Sequence, residues 1–478
     1  MNKSPKVDPA DLATKELCFQ YLAEEVFRFR PKDYQKRYPK WPGQVGLEIE
    51  MLPLLKGPHG LETIPIQGPD GIGTTIRKLA ARDFPKWQPE YIGGDEESGL
   101  LRILTDQGDQ LTFEPGGQVE FSSKPYPCLF DAVRRVQKVQ GWLYESLAPR
   151  DILLFQLGIN PWHSVDHIGL QMVKPRYRAM NEYFASIGPY GRRMMRQTCS
   201  IQVNLDFGAN EQTLAKRYLL ANLLSPIATA IFANSPVTEG KDTGHRNFRS
   251  KVWQNLDPSR TGFPDLSGVA EKLNLKSSLE SYLDYSLNSR VVYVEALGFE
   301  IPDRELTFGR WLEEPYKGVS PTVEDYVNHL SLLFPEVRPR NFLEIRSIDC
   351  LSRVWQFTPA MFFTALLYND EALDKSLELL LPWLPELPKY LELASYGLKD
   401  DLIFKKSCQI IQHVLGGFDQ LPDCFQGEGS REQLHRFMEW FPLARKTPAD
   451  EIVGALAGGD GEIGLFRLEE SWQEGLSH

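Results

Sequence analysis

The segment VGLEIE, residues 45–50, constrains the fold more than any other stretch of the chain. Apolar residues alternate there with acids, the period of a β-strand with one buried face. Glu48 and Glu50 share one face, and Val45, Leu47, Ile49 and Met51 share the other. Two carboxylates about 7 Å apart on a half-buried face lose hydration and repel each other, unless a cation lies between them. A hard divalent ion that prefers oxygen ligands, such as Mg²⁺, answers that need. A solvated edge strand would show the same alternation.

Three further segments repeat the theme. In FEPGGQVEFSS, Glu114 precedes Pro-Gly-Gly and Glu120 sits in the following strand. Gly116 and Gly117 permit a tight path and close backbone approach, which lets two carboxylates converge on one ion. A hairpin turn with incidental acids is the bland alternative. In NFLEIRS, Glu344 and Arg346 share a face. Structural ion pairs are common on sheets, and a carboxylate beside a phosphate-binding Arg is also what phosphoryl transfer needs. In RQTCSIQVNLDFG, Gln202, Asn204 and Asp206 alternate with Ile201, Val203 and Leu205, so one face carries amides and an acid. Arg196 precedes this row, and Arg249, Lys251 and Arg260 follow it as cations for carboxylate or phosphate groups.

Around these segments the pattern predicts an α+β chain. A helix is expected over 9–30, a loop over 31–44, a strand over 45–54 and a short helix near 74–81. The stretch 56–100 is broken by Gly and Pro, ending in IGGDEESG, and LRILTDQGDQLTFEP reads as a hairpin. A helix is expected over 127–148, another within 175–196 that ends in a Gly-Pro-rich turn and a basic tip, GPYGRRMMR, and strands at DILLFQLGINP, TCSIQVNLDFG and RVVYVEA. The run LAKRYLLANLLSPIATAIFANSP reads as a long core helix kinked at Pro226. Residues 352–478 are mainly helical in pattern. The 478 residues with 42% apolar content suffice for a large core.

Composition narrows the function. The net charge of −11 comes without a basic block, which argues against a nucleic-acid partner. No run of about 18 apolar residues predicts a membrane span. The polar N-terminus lacks a signal-peptide core, so a cytoplasmic location is expected. The six cysteines form no C-x-x-C pair and are expected to be reduced, buried small hydrophobes.

In order, GLEIE, FEPGGQVEFSS, MMRQTCSIQVNLDF, LSPIATAIFANSPVTEGK, FRSKVWQNLDPSRTG and LFPEVRPRNFLEIRS resemble the motifs of plant-type glutamate–cysteine ligases, a family also found in bacteria. The resemblance runs from about residue 40 to about 370. It implies a glutamine synthetase-like core over 45–350, in which a curved, mainly antiparallel sheet forms an active-site funnel flanked by helices. An N-terminal helix and linker would occupy 1–44, and a helical region packed on the core 351–478. It implies ATP-dependent joining of the γ-carboxylate of glutamate to the amine of cysteine through an acyl phosphate, with two or three Mg²⁺ ions, or Mn²⁺, screening the charge. Glu48, Glu50, Glu114, Glu120 and Glu344 match positions that look like metal ligands, and Gln202 falls at a further metal-facing position. Arg346 looks like the phosphate-stabilising arginine. Arg196 and Arg260 lie in the glutamate-binding strings, Arg260 also as a catalytic group, with Asn204 and Trp253 as substrate contacts and Arg249 and Lys251 as nucleotide contacts. The expected partners are glutamate, cysteine and ATP, in a monomer or homodimer. A ligase of the same fold acting on a different amine would share these motifs. A non-catalytic regulator would have lost some of the acids, and all are present.

Overall fold

The computed structural model describes residues 7–95, 99–457 and 461–477. The first six residues of the polar N-terminus and 96–98 of the Gly-rich loop lie outside them.

Twelve strands are present among the described residues: β1 (Val45–Gly57), β2 (Gly60–Thr63), β3 (Gln88–Ile92), β4 (Leu100–Leu104), β5 (Gln110–Phe113), β6 (Val119–Ser122), β7 (Ile152–Phe155), β8 (Ser200–Leu205), β9 (Val237–Thr238), β10 (Lys241–Asp242), β11 (Val337–Pro339) and β12 (Leu343–Asp349). Ten form one sheet in the order β11-β12-β8-β1-β6-β5-β4-β3, while β2 and β7 pair with the far half of β1. The pairings are antiparallel. β1 is the spine of the sheet. Its first half lies between β6 and β8, and its second half, LPLLKG, takes β2 and β7 instead.

The register fixes what each face carries. Opposite residues of an antiparallel pair share a face. Ile49 lies opposite Ile201 and Phe121, and Leu47 and Ile345 both lie opposite Val203, all buried. The helix Glu211–Ile231 packs behind this apolar face, nearly every residue beyond its first turn buried. Pro226 sits inside it without ending it. One continuous apolar cluster runs from Ala13 to Trp472, so the N-terminal segment, the sheet and the C-terminal helices share a core. In the C-terminal part, Trp355 is ringed by Phe437, Trp440, Phe441 and Trp472.

Three local expectations change. The helix expected over 9–30 is confined to Lys15–Tyr21 and one π-helical turn, Leu22–Val26. Residues before Thr14 pair instead with the chain around Pro321, through Ala13 N–H to Pro321 O and Val323 N–H to Asp11 O. Within 175–196 the helix Pro175–Ile187 ends at Gly188 and Pro189 as expected, but the basic tip is itself a short helix, Tyr190–Arg196. RVVYVEA forms no strand. It makes isolated bridges at Arg290–Thr307 and Val294–Glu300, because the returning chain contains left-handed Phe299 (φ 64°) and Pro302, which has no N–H to donate. The cysteines also depart from expectation. Cys128 and Cys424, with Cα atoms 5.9 Å apart, are joined in a disulfide. Cys18, Cys199, Cys350 and Cys408 are free. The pair links the start of the helix Leu129–Leu147 to a helix some three hundred residues away, a juxtaposition made by tertiary packing that sequence spacing does not show.

Candidate active site

The polar face of the sheet gathers the acids read from the sequence. Glu50 lies opposite Glu120, Glu48 lies between Ser122 and Gln202, and Glu344 lies opposite Asn204. Each carboxylate is held by neighbours on the same face. Ser200 donates both its N–H (2.8 Å) and its hydroxyl (3.0 Å) to Glu50. Ser122 (2.7 Å) and Thr112 (3.0 Å) donate to Oε1 of Glu120, and Asn204 Nδ2 donates to Glu48 at 2.8 Å.

Glu114 reaches this face from the loop between β5 and β6. The loop is tight because Gly117 adopts φ +90° and Gly116 lies against the backbone of Arg196, where a Cβ would come within 2.1 Å of the carbonyl oxygen. Gln118 ties the loop down by donating to Thr198 O (2.9 Å) and accepting from Gly116 N–H (3.0 Å).

The charges do not balance. Burial raises the carboxyl of Glu48, and Glu344 and Glu120 raise it further, to about 8. Burial raises Glu114 well above the usual range, with repulsion from Glu120 and Glu50 adding to it. Glu50 and Glu120 are also raised by burial, opposed in Glu50 by Arg249 and the Ser200 hydrogen bonds. Four partly buried carboxylates gathered at one face, each raised by burial and three of them also by acidic neighbours, match what a divalent cation needs. Among the described residues, no three of these acids bring oxygens within 4.8 Å of one another. Mg²⁺ takes one or two carboxylates and completes its shell with water and phosphate oxygens, so a spread set of acids fits it.

Glu344 and Gln202 have other partners. Arg338 grips Glu344 as a fork (2.5 and 3.0 Å), and Arg346 (3.1 Å) and Arg340 (3.4 Å) add to it. Burial would raise the Glu344 carboxyl, but Arg338 and Arg346 hold it down at about 2. Gln202 accepts from Arg346 Nη1 at 2.9 Å. Both side chains therefore orient Arg346, which sits in a bulge of β12 with its Nε buried and unpartnered.

Beside the acids lies a cavity of about 110 Å³. Its polar lining includes Glu50, Glu114, Arg249 and Arg346, and its apolar lining includes Met180, Met194, Met195, Trp253 and Phe334. Arg249 stacks over Trp253 with its guanidinium 4.6 Å from the ring centre and donates from Nη2 to Arg346 O (2.8 Å). Its Nε and the indole N–H of Trp253 are buried without partners.

Other residues read from the sequence stand elsewhere. Every donor nitrogen of Arg260 is taken, by Asp257 (2.8 Å), Leu332 O (2.8 Å), Arg290 O (2.7 Å) and the Tyr183 hydroxyl (3.3 Å). It is fully buried and does not line the cavity, so it staples Asp257 to the loops around 290 and 332. Arg196 bonds Val165 O and Asn181, and Lys251 lies near His245. Asp206 leaves the polar row to bind Gln44 N–H, Arg30 and Arg217.

Sequence reasoning missed Ser200, Arg338 and the methionines. Ser200 continues the alternation of Gln202 and Asn204 and was within reach. Arg338 faces Glu344 only through the β11–β12 register, and the methionines come from the helical segments before β8.

An antiparallel sheet whose inner face carries acids, backed by helices and set beside buried arginines, defines an α+β protein with a charged site on one sheet face. The chain belongs to the glutamate–cysteine ligase family 2, whose model matches residues 44–412. Chloroplastic glutamate–cysteine ligase of Brassica juncea is 31% identical over 397 residues, 80% of this chain and 70% of that one. The Arabidopsis thaliana enzyme is 34% identical over 327 residues, 66% of this chain and 58% of its own length. The fold matches glutamate–cysteine ligase from Francisella tularensis, solved in complex with AMP, at a TM-score of 0.54 and 11% identity, over 92% of this chain and 90% of that one.

Proposed function

We propose that this chain joins the γ-carboxylate of glutamate to the amino group of cysteine at the expense of ATP, giving γ-glutamylcysteine, ADP and phosphate, the first step of glutathione biosynthesis. The observation that carries this reading is the meeting of mutually repelling carboxylates with two incompletely paired arginines at one cavity. A carboxylate attacking a nucleotide phosphate is an anion approaching an anion, and divalent ions supply the screening. Glu48, Glu50, Glu114 and Glu120 would hold those ions. Glu344 and Gln202 instead aim Arg346, whose free Nε suits the phosphoryl group in transfer. Arg249 and the indole N–H of Trp253 would take the carboxylate of the amino-acid substrate, and the surrounding methionines keep water from the acyl phosphate. Arg260 and Arg196 act at a distance, by fixing the walls. The nucleotide contact expected of Lys251 finds no support in its position near His245.

The test is ADP release with glutamate and a panel of amines. Cysteine should raise the rate far above glutamate alone. A rate with cysteine equal to that with glutamate alone sinks the assignment, and a higher rate with another amine redirects it to a related ligase.

A further inference from the structure

Arg249 is held from behind by a buried acid. Asp349 ends β12 and is fully buried. Its Oδ2 accepts the Asn234 N–H (2.8 Å) and the Ser235 hydroxyl (2.6 Å). The Ser235 oxygen in turn accepts the backbone N–H of Arg249 at 3.0 Å, in the first turn of the helix Phe248–Gln254. The second carboxylate oxygen, Oδ1, has no hydrogen-bond partner and lies 3.9 Å from Arg249 Nη1. Asp349 cannot swing aside, because Gly158 packs against it so closely that a Cβ there would come within 2.5 Å of the carboxylate carbon.

A buried guanidinium with an unpartnered Nε, close to a second arginine, needs negative charge behind it to stay in place. Asp349 supplies that charge, and through Ser235 it also fixes the start of the helix that carries Arg249. We propose that Asp349 is a positioning residue, which sets the height and angle of the Arg249 guanidinium and so tunes the grip on the substrate carboxylate. The proposal rests on the reading of Arg249 as the substrate anchor. Asp349 touches neither substrate nor nucleotide in this scheme, so it differs from the acids of the sheet face.

Asp349→Asn retains an oxygen for the Asn234 and Ser235 bonds, removes the charge, and turns an amide toward Arg249 Nη1. The expected result is a rise of about tenfold in KM for glutamate, the loss of one charge-assisted contact, with kcat and the KM values for ATP and cysteine changed less than about twofold. In an Arg249→Lys background the same change should have little further effect, since residues in one network are non-additive. Ser235→Ala, which keeps the charge and breaks the relay, should raise KM for glutamate by a smaller factor, about threefold. It decides the matter should Asp349→Asn not fold. An equal loss for all three substrates, or additive effects with Arg249→Lys, overturns the proposal and leaves Asp349 a structural residue. If Arg249→Lys itself leaves KM for glutamate unchanged, the anchor reading falls first. If Arg249→Lys raises it and neither Asp349→Asn nor Ser235→Ala does, only the positioning role falls.

Discussion

Replacing Glu48 with Gln should stabilise the metal-free protein while abolishing turnover. In the folded chain the Glu48 carboxyl is raised from 4.5 to about 8, by burial first and by Glu344 and Glu120 next. A group whose folded pKa is raised contributes stability that is present at low pH and lost as pH climbs from 4.5 through 8. At pH 7 the unfolded chain has released this proton and the folded chain retains it, a gap of about 2.5 pH units from the unfolded value. At about 1.4 kcal/mol per unit, ionisation of the unfolded chain costs the fold roughly 3 kcal/mol. The substituted glutamine would have no proton to keep, and its amide oxygen would still accept from Asn204, now 2.8 Å from Glu48. The variant should therefore melt progressively higher than wild type as pH rises from about 5.5 to about 8 in EDTA, by a few °C at the upper end for a chain of this size. Excess Mg²⁺ should reverse the order, because only wild type has the full acid set to bind it. Differential scanning calorimetry of both proteins across that range, with and without Mg²⁺, measures the effect. The change with pH separates titration from any packing difference between Glu and Gln. An EDTA melting difference that stays flat or narrows toward the alkaline end would refute the claim that unbalanced charge strains this face, and unchanged turnover in the variant would refute the metal assignment.

Arg346→Lys keeps a charge but loses the geometry that Gln202 and Glu344 impose, so kcat should fall by at least about tenfold in the steady-state assay, with KM for cysteine little changed. Gly116→Ala puts a methyl 2.1 Å from the Arg196 carbonyl oxygen and should displace Glu114, lowering both melting temperature and Mg²⁺-dependent activity. Unchanged values would mean the loop does not set the position of Glu114. Thiol labelling of the denatured, unreduced protein should modify Cys18, Cys199, Cys350 and Cys408 and spare Cys128 and Cys424. Mass spectrometry before and after reduction reads this directly, and six labelled cysteines before reduction would rule out the bond.

The legible part of the site was the part written with period two. VGLEIE, SIQVNL and LEIRS each state a face, and β pairing then brought those faces together without further instruction. Illegible features depended on register or long-range packing. Glu344 and Arg346 are adjacent on their strand, so the sequence shows the pair, but the fork from Arg338 exists only because β11 returns with Arg338 opposite Glu344. That fork changes the chemistry. A carboxylate gripped by two or three arginines has little electron density to offer a metal, whereas Glu48, with only Asn204 on it, keeps its capacity. The same residue type thus meets opposite surroundings two strands apart. Arg260 shows the converse error. It lies in a family-like string beside Arg249, yet the turn Asp257–Thr261 points it into Tyr183 and the loops, while the preceding helix carries Arg249 to the cavity. The sequence ranked Arg260 above Arg249, and the structure reverses them by placing Arg249 at the cavity with an unpartnered nitrogen. For buried cations and acids, the contacts left unmade bear on function as much as the contacts made: the set around Arg260 and Glu344 is closed by hydrogen bonds, whereas Arg249 and Arg346 each keep a buried nitrogen without a partner, as the proposed binding roles require.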